Sequence, residues 1–305
     1  MTANRWQFWI DRGGTFTDVV ARAPDGRLVS RKLLSENSRQ YQDAAVAGIR
    51  EILNVESDAA IPSSKIDAIK MGTTIATNAL LERNGDPTVL VTTRGFGDAL
   101  RIGYQNRPDI FARQIRLPEL LHTAVVEVDE RVTAEGDILC PLNQQALAQQ
   151  LMEQRERGFE AAAIVFMHAW RYPAHERQAA EIARDCGFSQ VSVSHEVGPL
   201  IKLVGRGDTT VVDAYLSPLI SRYVAQVGAA IGTTDTSDWS RLMFMQSNGG
   251  LTDAHHFRGK DAILSGPAGG VVGMAKTAAM SGHCRVIGFD MGGTSTDVSL
   301  YRDNY

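Results

Sequence analysis

The sequence D-R-G-G-T-F-T-D-V occupies residues 11–19, and D-M-G-G-T-S-T-D-V occupies residues 290–298. Seven of the nine positions are identical, at an offset of 290 − 11 = 279 residues. Each copy follows an apolar strand pattern, F-W-I before the first and V-I-G-F before the second, and each leads into another strand. A glycine pair between two strands predicts a β-hairpin. The chain is therefore predicted to contain two similar hairpins.

The composition of these turns indicates phosphate binding. Adjacent glycines let the backbone approach an anion and direct its N–H groups toward it, and threonine hydroxyls add donors. An aspartate repels phosphate, so the leading aspartates Asp11 and Asp290 are predicted to act through Mg²⁺ and its bound waters, and they are the candidate catalytic and metal residues. An ordinary tight hairpin is the alternative, and the second copy favours the functional interpretation. The residues predicted to hold the phosphates are Gly13, Gly14, Thr15, Thr17, Asp18, Gly292, Gly293, Thr294, Thr296 and Asp297.

Outward from the hairpins, strand and helix patterns alternate, which predicts a three-layer α/β architecture. A long helical pattern over 209–231, interrupted by Pro218, is interpreted as a crossover between domains. The predicted strands are 6–10, 19–23, 28–33, 66–71, 87–92, 161–167, 190–194, 242–246 and 284–289. The predicted helices are 41–53, 73–83, 144–157, 173–186, 209–231 and one that follows Ser265.

Composition excludes several classes of protein. The 305 residues are 44% hydrophobic and 22% charged with a net charge of −4, which argues against disorder and against a basic surface for nucleic acid. Cys140, Cys186 and Cys284 form no C-x-x-C, so neither a disulfide framework nor a zinc site is predicted. No apolar run approaches the roughly 18 residues of a membrane span, and no signal peptide is visible. We expect a cytoplasmic protein without nucleic-acid or membrane partners.

Four motifs together resemble the hydantoinase A/5-oxoprolinase family. They are the first hairpin at 11–18, G-T-T-I-A-T-N-A at 72–79, Y-Q-N-R-P-D-I-F at 104–111 and S-G-P-A-G-G at 265–270. The paired turns also resemble the phosphate motifs of the actin/Hsp70/hexokinase-type ATPases. Arg12 and the 104–111 segment are more similar to 5-oxoprolinases than to hydantoinases, which tend to carry valine after the first aspartate.

The resemblance implies an α/β fold of the actin/Hsp70-like (ribonuclease H-like) ATPase type, with the first lobe and the start of the second. Residues 1–207 would form an N-terminal domain with the first hairpin. Residues 208–305 would form the crossover helix and the opening of the hydantoinase A domain with the second hairpin. In this fold the adenosine-binding glycine motif follows the second hairpin, and the chain ends at Tyr305. We therefore expect the N-terminal part of a longer protein, inactive alone.

The resemblance also implies a reaction. It is the ATP-dependent opening of a cyclic amide, 5-oxo-L-proline to L-glutamate with ADP and phosphate, through phosphorylation of the lactam oxygen. ATP and Mg²⁺ are the implied cofactors, with K⁺ as a further candidate. The implied partners are the lactam, a hydantoinase B-like subunit or C-terminal half, and further copies in a homo-oligomer. An N-methylhydantoinase, an acetone carboxylase-type ATPase subunit and an actin-like nucleotide-switched module remain alternatives.

Two further segments provide candidate substrate residues. A strand–turn–helix unit presents free N–H groups and hydroxyls at its helix start, which suits an anion, although simple helix capping explains the same pattern. The polar loop after Tyr104 suits a substrate carboxylate through its arginine. His195 with Glu196 is a weaker catalytic candidate. The predicted substrate residues are Thr73, Thr74, Asn78, Asn106 and Arg107.

Overall fold

The computed structural model describes residues 5–56, 59–105, 109–232, 241–293 and 296–302. The chain divides into two compact units. Unit 1 comprises Met1–Glu82 and Ile220–Tyr305, and unit 2 comprises Arg83–Leu219. These units are drawn differently from the sequence-based domains, whose boundary after residue 207 stays a prediction.

The structure has a mixed α/β fold with parallel strand pairing in both units. The strands are β1 (Trp6–Arg12), β2 (Phe16–Arg22), β3 (Leu28–Leu34), β4 (Ile66–Thr73), β5 (Thr88–Thr93), β6 (His122–Val128), β7 (Arg131–Val132), β8 (Ile138–Cys140), β9 (Ala161–Val165), β10 (Gln190–Val193), β11 (Leu242–Met245), β12 (Leu251–Asp253), β13 (Arg285–Met291) and β14 (Thr296–Arg302). The helices are α1 (Ala44–Leu53), α2 (Ile75–Glu82), α3 (Ala99–Ile102), α4 (Gln144–Glu156), α5 (Ala174–Asp185), α6 (Ser194–Val197), α7 (Leu203–Ala230) and α8 (Ser265–Met280).

Unit 1 contains a six-stranded sheet in the order β12-β11-β4-β1-β2-β3. β1 pairs antiparallel with β2 and parallel with β4, and β11 adds in parallel on the other side of β4. The sheet buries Phe8, Ile69 and Phe244, and Ile49 from α1 is also fully buried. Burial of these large apolar side chains stabilises the sheet at roughly 1.5–3 kcal/mol each.

The second hairpin, β13–β14, forms its own two-stranded sheet. Asp290 stands opposite Asp297 in it, as Asp11 stands opposite Asp18 in β1–β2. The predicted hairpin is therefore confirmed at both copies. Thr294 lies outside the described residues.

Unit 2 contains a four-stranded parallel sheet in the order β10-β9-β5-β6. β9 is buried at every position, as its continuous apolar sequence predicts for a strand covered on both faces. α4 and α5 contribute to the core, in which Leu147, Leu151 and Ile164 are fully buried. No helix among the described residues is long and apolar enough to cross a membrane.

Several helices differ from their predicted bounds, and the largest differences are at the starts of α1, α2 and α7. The helix predicted from residue 73 begins at Ile75, because Thr73 still pairs with Arg12 as the last residue of β4. The predicted interruption at Pro218 is wrong, since α7 runs through it. Proline removes one helical hydrogen bond, but Leu216 and Ile220 on either side of it are fully buried, and packing outweighs that loss.

Candidate functional site

The first hairpin turn is held by Ser35, which follows β3. The Ser35 hydroxyl donates to the carbonyl of Gly13 at 2.6 Å, and its backbone N–H donates to the carbonyl of Thr15 at 2.9 Å. Gly13 donates across the turn to the carbonyl of Phe16 at 3.0 Å. A β-carbon on Gly13 would itself lie 3.0 Å from that Phe16 oxygen, so the turn favours a residue without a side chain there.

Two of the predicted phosphate residues already contact protein groups. Thr17 is fully buried, with its hydroxyl 3.0 Å from that of Ser35. The Asp18 carboxylate accepts from the ammonium of Lys32 at 2.6 and 2.8 Å across the β2–β3 pair. Thr17 therefore supports the turn from the interior, and the charge of Asp18 is partly balanced. Their contact with phosphate stays a prediction.

Asp11 and Asp290 lie close enough to interact electrostatically. The pKa of Asp11 is raised, first because surrounding protein shields the carboxylate from water and then because Asp18 and Asp290 repel its charge, while Lys32 acts in the opposite direction. A carboxylate with a raised pKa beside others is typical of a site that holds a cation.

Small residues keep the space around the two aspartates open. A β-carbon on Gly72 would lie 3.5 Å from Asp11 Oδ1, and one on Gly270 would lie 3.5 Å from Asp290 Oδ2. The S-G-P-A-G-G motif therefore brings the start of α8 beside Asp290, just as the G-T-T motif comes beside Asp11. Three of the four motifs quoted from the sequence meet at this point of unit 1.

The two hairpin turns are in contact. A β-carbon on Gly293 would come within 2.6 Å of the Thr15 hydroxyl oxygen, which is closer than any real contact of that kind. The second turn thus approaches the first through a residue without a side chain. This arrangement presents the glycine pairs of both turns to one region.

The carboxylates of Asp11 and Asp290 fit a cation bound through its water molecules better than one coordinated entirely by protein side chains. Within the described ranges, no group of three or more histidine, cysteine, aspartate or glutamate side chains has metal-ligand spacing. Mg²⁺ keeps several of its waters and is bound by one or two carboxylates plus substrate phosphates. The charges of Asp11 and Asp290 repel each other, and a divalent ion would offset that repulsion, so the two residues fit such an ion. Their binding of Mg²⁺ stays a prediction.

The predicted substrate residues of the G-T-T motif adjoin the first hairpin. Thr74 donates to the carbonyl of Arg12 from its N–H at 3.1 Å and from its hydroxyl at 3.3 Å. Thr73 is fully buried, and its hydroxyl accepts from the N–H of Ile75 at 3.3 Å. Both hydroxyls thus brace the turn. Asn78 lies half-buried on α2.

The other two predicted substrate residues, Asn106 and Arg107, lie outside the described residues. Tyr104 and Phe111, which flank them in the sequence, are exposed in unit 2.

Sequence reasoning missed a buried polar network in unit 2. Glu176 is fully buried and accepts from the N–H of Phe166 at 2.9 Å and the hydroxyl of Ser194 at 2.6 Å. Arg206 is also fully buried and donates to the Phe166 carbonyl at 2.7 Å and to Ser194 at 2.9 Å. The carboxylate and the guanidinium together tie the ends of β9 and β10 to α5 and α7.

The histidine singled out from the sequence belongs to this network. His195 Nδ1 lies 2.7 Å from the Glu176 carboxylate, whereas Nε2 is 3.8 Å from Glu196. The principal partner of His195 is therefore Glu176 and not the neighbouring Glu196. The sequence around His195 does not predict this contact, because Glu176 lies on another element. The one available signal is a pair of polar residues, His175 and Glu176, in the first turn of an otherwise buried helix face.

Family comparison decides what this chain is related to. Residues 7–187 match the hydantoinase/oxoprolinase N-terminal region, and residues 206–305 match hydantoinase/oxoprolinase. The chain belongs to the hydantoinase/oxoprolinase family. The resemblance seen in the four motifs is confirmed.

Individual relatives of this family member carry related names. 5-oxoprolinase 1 of Arabidopsis thaliana is 43% identical over 98% of this chain. The crystal structure of ATP-dependent caprolactamase from Pseudomonas jessenii superposes with a TM-score of 0.79 at 30% identity, over 96% of this chain and 43% of that one. The nucleotide-free structure of acetone carboxylase gives a TM-score of 0.80 at 22% identity, over 97% of this chain and 44% of that one, and shows a shared fold. The chain spans about a quarter of the length of the plant relative.

Proposed function

We propose that the protein containing this chain uses ATP to open a cyclic amide, with 5-oxo-L-proline as the substrate and L-glutamate, ADP and phosphate as the products. The observation that carries this proposal is the contact between two glycine-rich hairpins, each with an aspartate at its strand end. The identity to a plant 5-oxoprolinase and the similarity to a caprolactamase support ATP-driven lactam chemistry.

The chemistry explains why ATP is needed. A lactam carbonyl is a weak electrophile. Attack of its oxygen on the γ-phosphorus forms an O–P bond and breaks the bond to ADP. Water then adds to the activated carbon, and the ring C–N bond breaks with its nitrogen protonated, which leaves an acyl phosphate. A second water attacks the acyl carbon, and phosphate leaves with the former lactam oxygen. The ring is thereby opened without a free high-energy intermediate in water.

The residues of the site suit the first of these steps. Backbone N–H groups of Gly13, Gly14, Gly292 and Gly293 would neutralise phosphoryl oxygens as charge moves onto them. Asp11 and Asp290 would hold Mg²⁺ through its waters, and Mg²⁺ supplies charge neutralisation when bound. Thr15 adds a hydroxyl where the two turns touch. K⁺ is a further candidate ion with no residue assigned to it.

The wider assignments follow from the same reasoning. The actin/Hsp70-like fold and the domain boundary after residue 207 are part of the proposal. A hydantoinase B-like subunit or second half and a homo-oligomeric state are also part of the proposal. The partner subunit is supported by a relative named caprolactamase subunit alpha. Three free cysteines support a cytoplasmic location.

Another cyclic amide is the second candidate. The caprolactamase relative is 33% identical over 98% of this chain, so a lactam without a carboxylate is a specific alternative. An actin-like switch is the rival of a different class. In a switch, ATP hydrolysis would not depend on a lactam.

The test is ADP release by the complete protein, with its partner half supplied, in the presence of 5-oxoproline, caprolactam, a hydantoin or no lactam. We expect release only with 5-oxoproline, and its loss in Asp11→Asn. Asp25→Asn is the matched control, because Asp25 is an exposed carboxylate in the β2–β3 turn. Equal ADP release with and without lactam would favour the switch.

A further inference from the structure

A buried side-chain cluster adjoins the first hairpin. It consists of Arg12, Asp43 and Tyr223, and is referred to here as the Arg12 anchor. Arg12 ends β1, Asp43 is the N-cap of α1, and Tyr223 lies on α7 within unit 1. The side chains of Arg12 and Asp43 are 17% and 4% exposed, and Tyr223 is buried. Three separate elements therefore contribute one side chain each.

The two carboxylate oxygens of Asp43 serve two purposes. Oδ1 accepts from the N–H of Val46 at 3.0 Å and caps α1. Oδ2 lies 3.5 Å from Nε of Arg12. One carboxylate thus fixes the start of a helix and neutralises a buried guanidinium that belongs to the phosphate hairpin.

Tyr223 closes the other side of the cluster. The Arg12 guanidinium carbon lies 5.4 Å from the centre of the Tyr223 ring, within the range of a cation–π contact. Burial and the Asp43 charge raise the pKa of Tyr223, and the charge of Arg12 acts against them. The phenol is neutral, so one carboxylate balances one guanidinium. The ring of Tyr223 packs edge-on to Phe244 of β11 at 6.4 Å.

The backbone of Arg12 connects this cluster to both motifs at the site. Arg12 lies between Asp11 and Gly13, and its carbonyl accepts both donors of Thr74. A fixed Arg12 side chain therefore fixes the peptides that carry Asp11 and Gly13, and also the turn from β4 into α2.

Stability alone does not account for this cluster. Nε of Arg12 makes no hydrogen bond of normal geometry within the described part of the chain, and the Tyr223 hydroxyl interacts with the Asp43 carboxylate at a geometry poorer than that of a normal hydrogen bond. A buried ion pair with imperfect hydrogen bonding is often less stabilising than apolar residues of similar volume. Its distinctive contribution is orientation, because charge and ring geometry define one position for the guanidinium.

We propose that Arg12, Asp43 and Tyr223 are positioning residues that hold the first hairpin and Asp11 in the geometry required for phosphoryl transfer. This inference rests on the proposed function for its catalytic consequence. The effect on the hairpin itself does not depend on that function.

The central variant is Asp43→Asn. Asparagine caps a helix as well as aspartate does, so the substitution removes the charge and keeps the start of α1. The matched control is Glu51→Gln on the same helix, whose carboxylate lies 3.6 Å from Arg31 in an exposed pair. Tyr223→Phe is a milder variant that keeps the ring and the fold and removes only the hydroxyl.

We expect Asp43→Asn to lower kcat of the complete enzyme at least tenfold with little change in the KM for the lactam, and Tyr223→Phe to lower it about threefold. Glu51→Gln should match the wild type. Asp43→Asn leaves the charge of Arg12 without its carboxylate and should lower the melting temperature. The double variant Arg12→Met/Asp43→Asn removes both charges and should return the melting temperature to that of the wild type. If the anchor positions the hairpin, kcat stays low in this double variant. Recovery of kcat together with the melting temperature would show a merely structural role and overturn the proposal.

Amide hydrogen exchange tests the anchor without reference to activity. Exchange over residues 12–17 and 73–75 should become about tenfold faster in Asp43→Asn and in the double variant, and should be unchanged in Glu51→Gln. Unchanged exchange in both anchor variants would overturn the proposal. If the wild-type enzyme opens no lactam, the proposed function fails, and the exchange result still decides whether the anchor holds the hairpin.

Discussion

Thr15 of the first hairpin and Gly293 of the second touch where the two turns meet, and a β-carbon on Gly293 would come within 2.6 Å of the Thr15 hydroxyl oxygen. Two residues 278 positions apart in the sequence (293 − 15) are thus neighbours in the structure. The contact makes the spacing of the two phosphate turns sensitive to a single methyl group.

Gly293→Ala is therefore expected to separate the turns. The Thr15 side chain would have to give way, which would disturb the contact between the two turns and the alignment of their N–H groups. We expect kcat/KM for ATP to fall by about tenfold or more, equivalent to about 1.4 kcal/mol of transition-state stabilisation. Steady-state kinetics of the complete enzyme measures this. Gly273→Ala on α8 is the control, because a β-carbon there meets nothing within 4 Å. Equal losses in the two variants would contradict the prediction.

Asp11→Asn is expected to separate activity from stability. Turnover should fall on the order of 10³-fold, because the carboxylate proposed to organise the cation is lost. The pKa of Asp11 is raised in the folded state, so its ionised form costs stability above that pKa. The variant should consequently melt at or above the wild-type temperature at pH 7, and this advantage should shrink as the pH falls through the raised pKa. Melting curves across that range, without Mg²⁺, test the sign. A less stable variant at pH 7 would show a structural role for the charge.

Glu176→Gln is expected to destabilise the protein by about 3 kcal/mol. Removal of one partner leaves the charge of Arg206 buried without its carboxylate, which is among the most costly single changes. Glu196→Gln is the matched control, since that neighbouring side chain is 53% exposed, and its effect should lie within about 0.5 kcal/mol. Urea denaturation of both variants makes the comparison. Similar unfolding midpoints would mean that the network is not important for stability.

Arg107→Lys is expected to raise the KM for 5-oxoproline about tenfold, because a point charge replaces a planar group that binds a carboxylate with two hydrogen bonds. The KM for ATP should be unchanged, because Arg107 is assigned to the substrate carboxylate. Steady-state kinetics with each substrate varied in turn provides the measurement. Unchanged kinetics with 5-oxoproline would remove Arg107 from the predicted substrate residues.

The local patterns of the chain predicted most of its elements. Apolar residues at helical spacing over 41–53 predicted α1, whereas its start after the cap Asp43 and its end at the left-handed Asn54 were seen only in the structure. The run at 161–167 predicted a buried strand because both of its faces are apolar. The interruption of the helix predicted at Pro218 did not occur, because the sequence shows the lost hydrogen bond but not the burial of the residues around it.

The repeated D-x-G-G-T-x-T-D turn predicted by itself two hairpins with an aspartate at a strand end, because a glycine pair and an aspartate have the same backbone freedom and charge wherever they occur. Only the tertiary structure decided the neighbours of those residues. Arg12 with Asp43 and Tyr223, His195 with Glu176, and Thr15 with Gly293 are pairings between separate elements. Such pairings depend on strand order and helix packing, which sum over the whole chain, so no local stretch of sequence contains them.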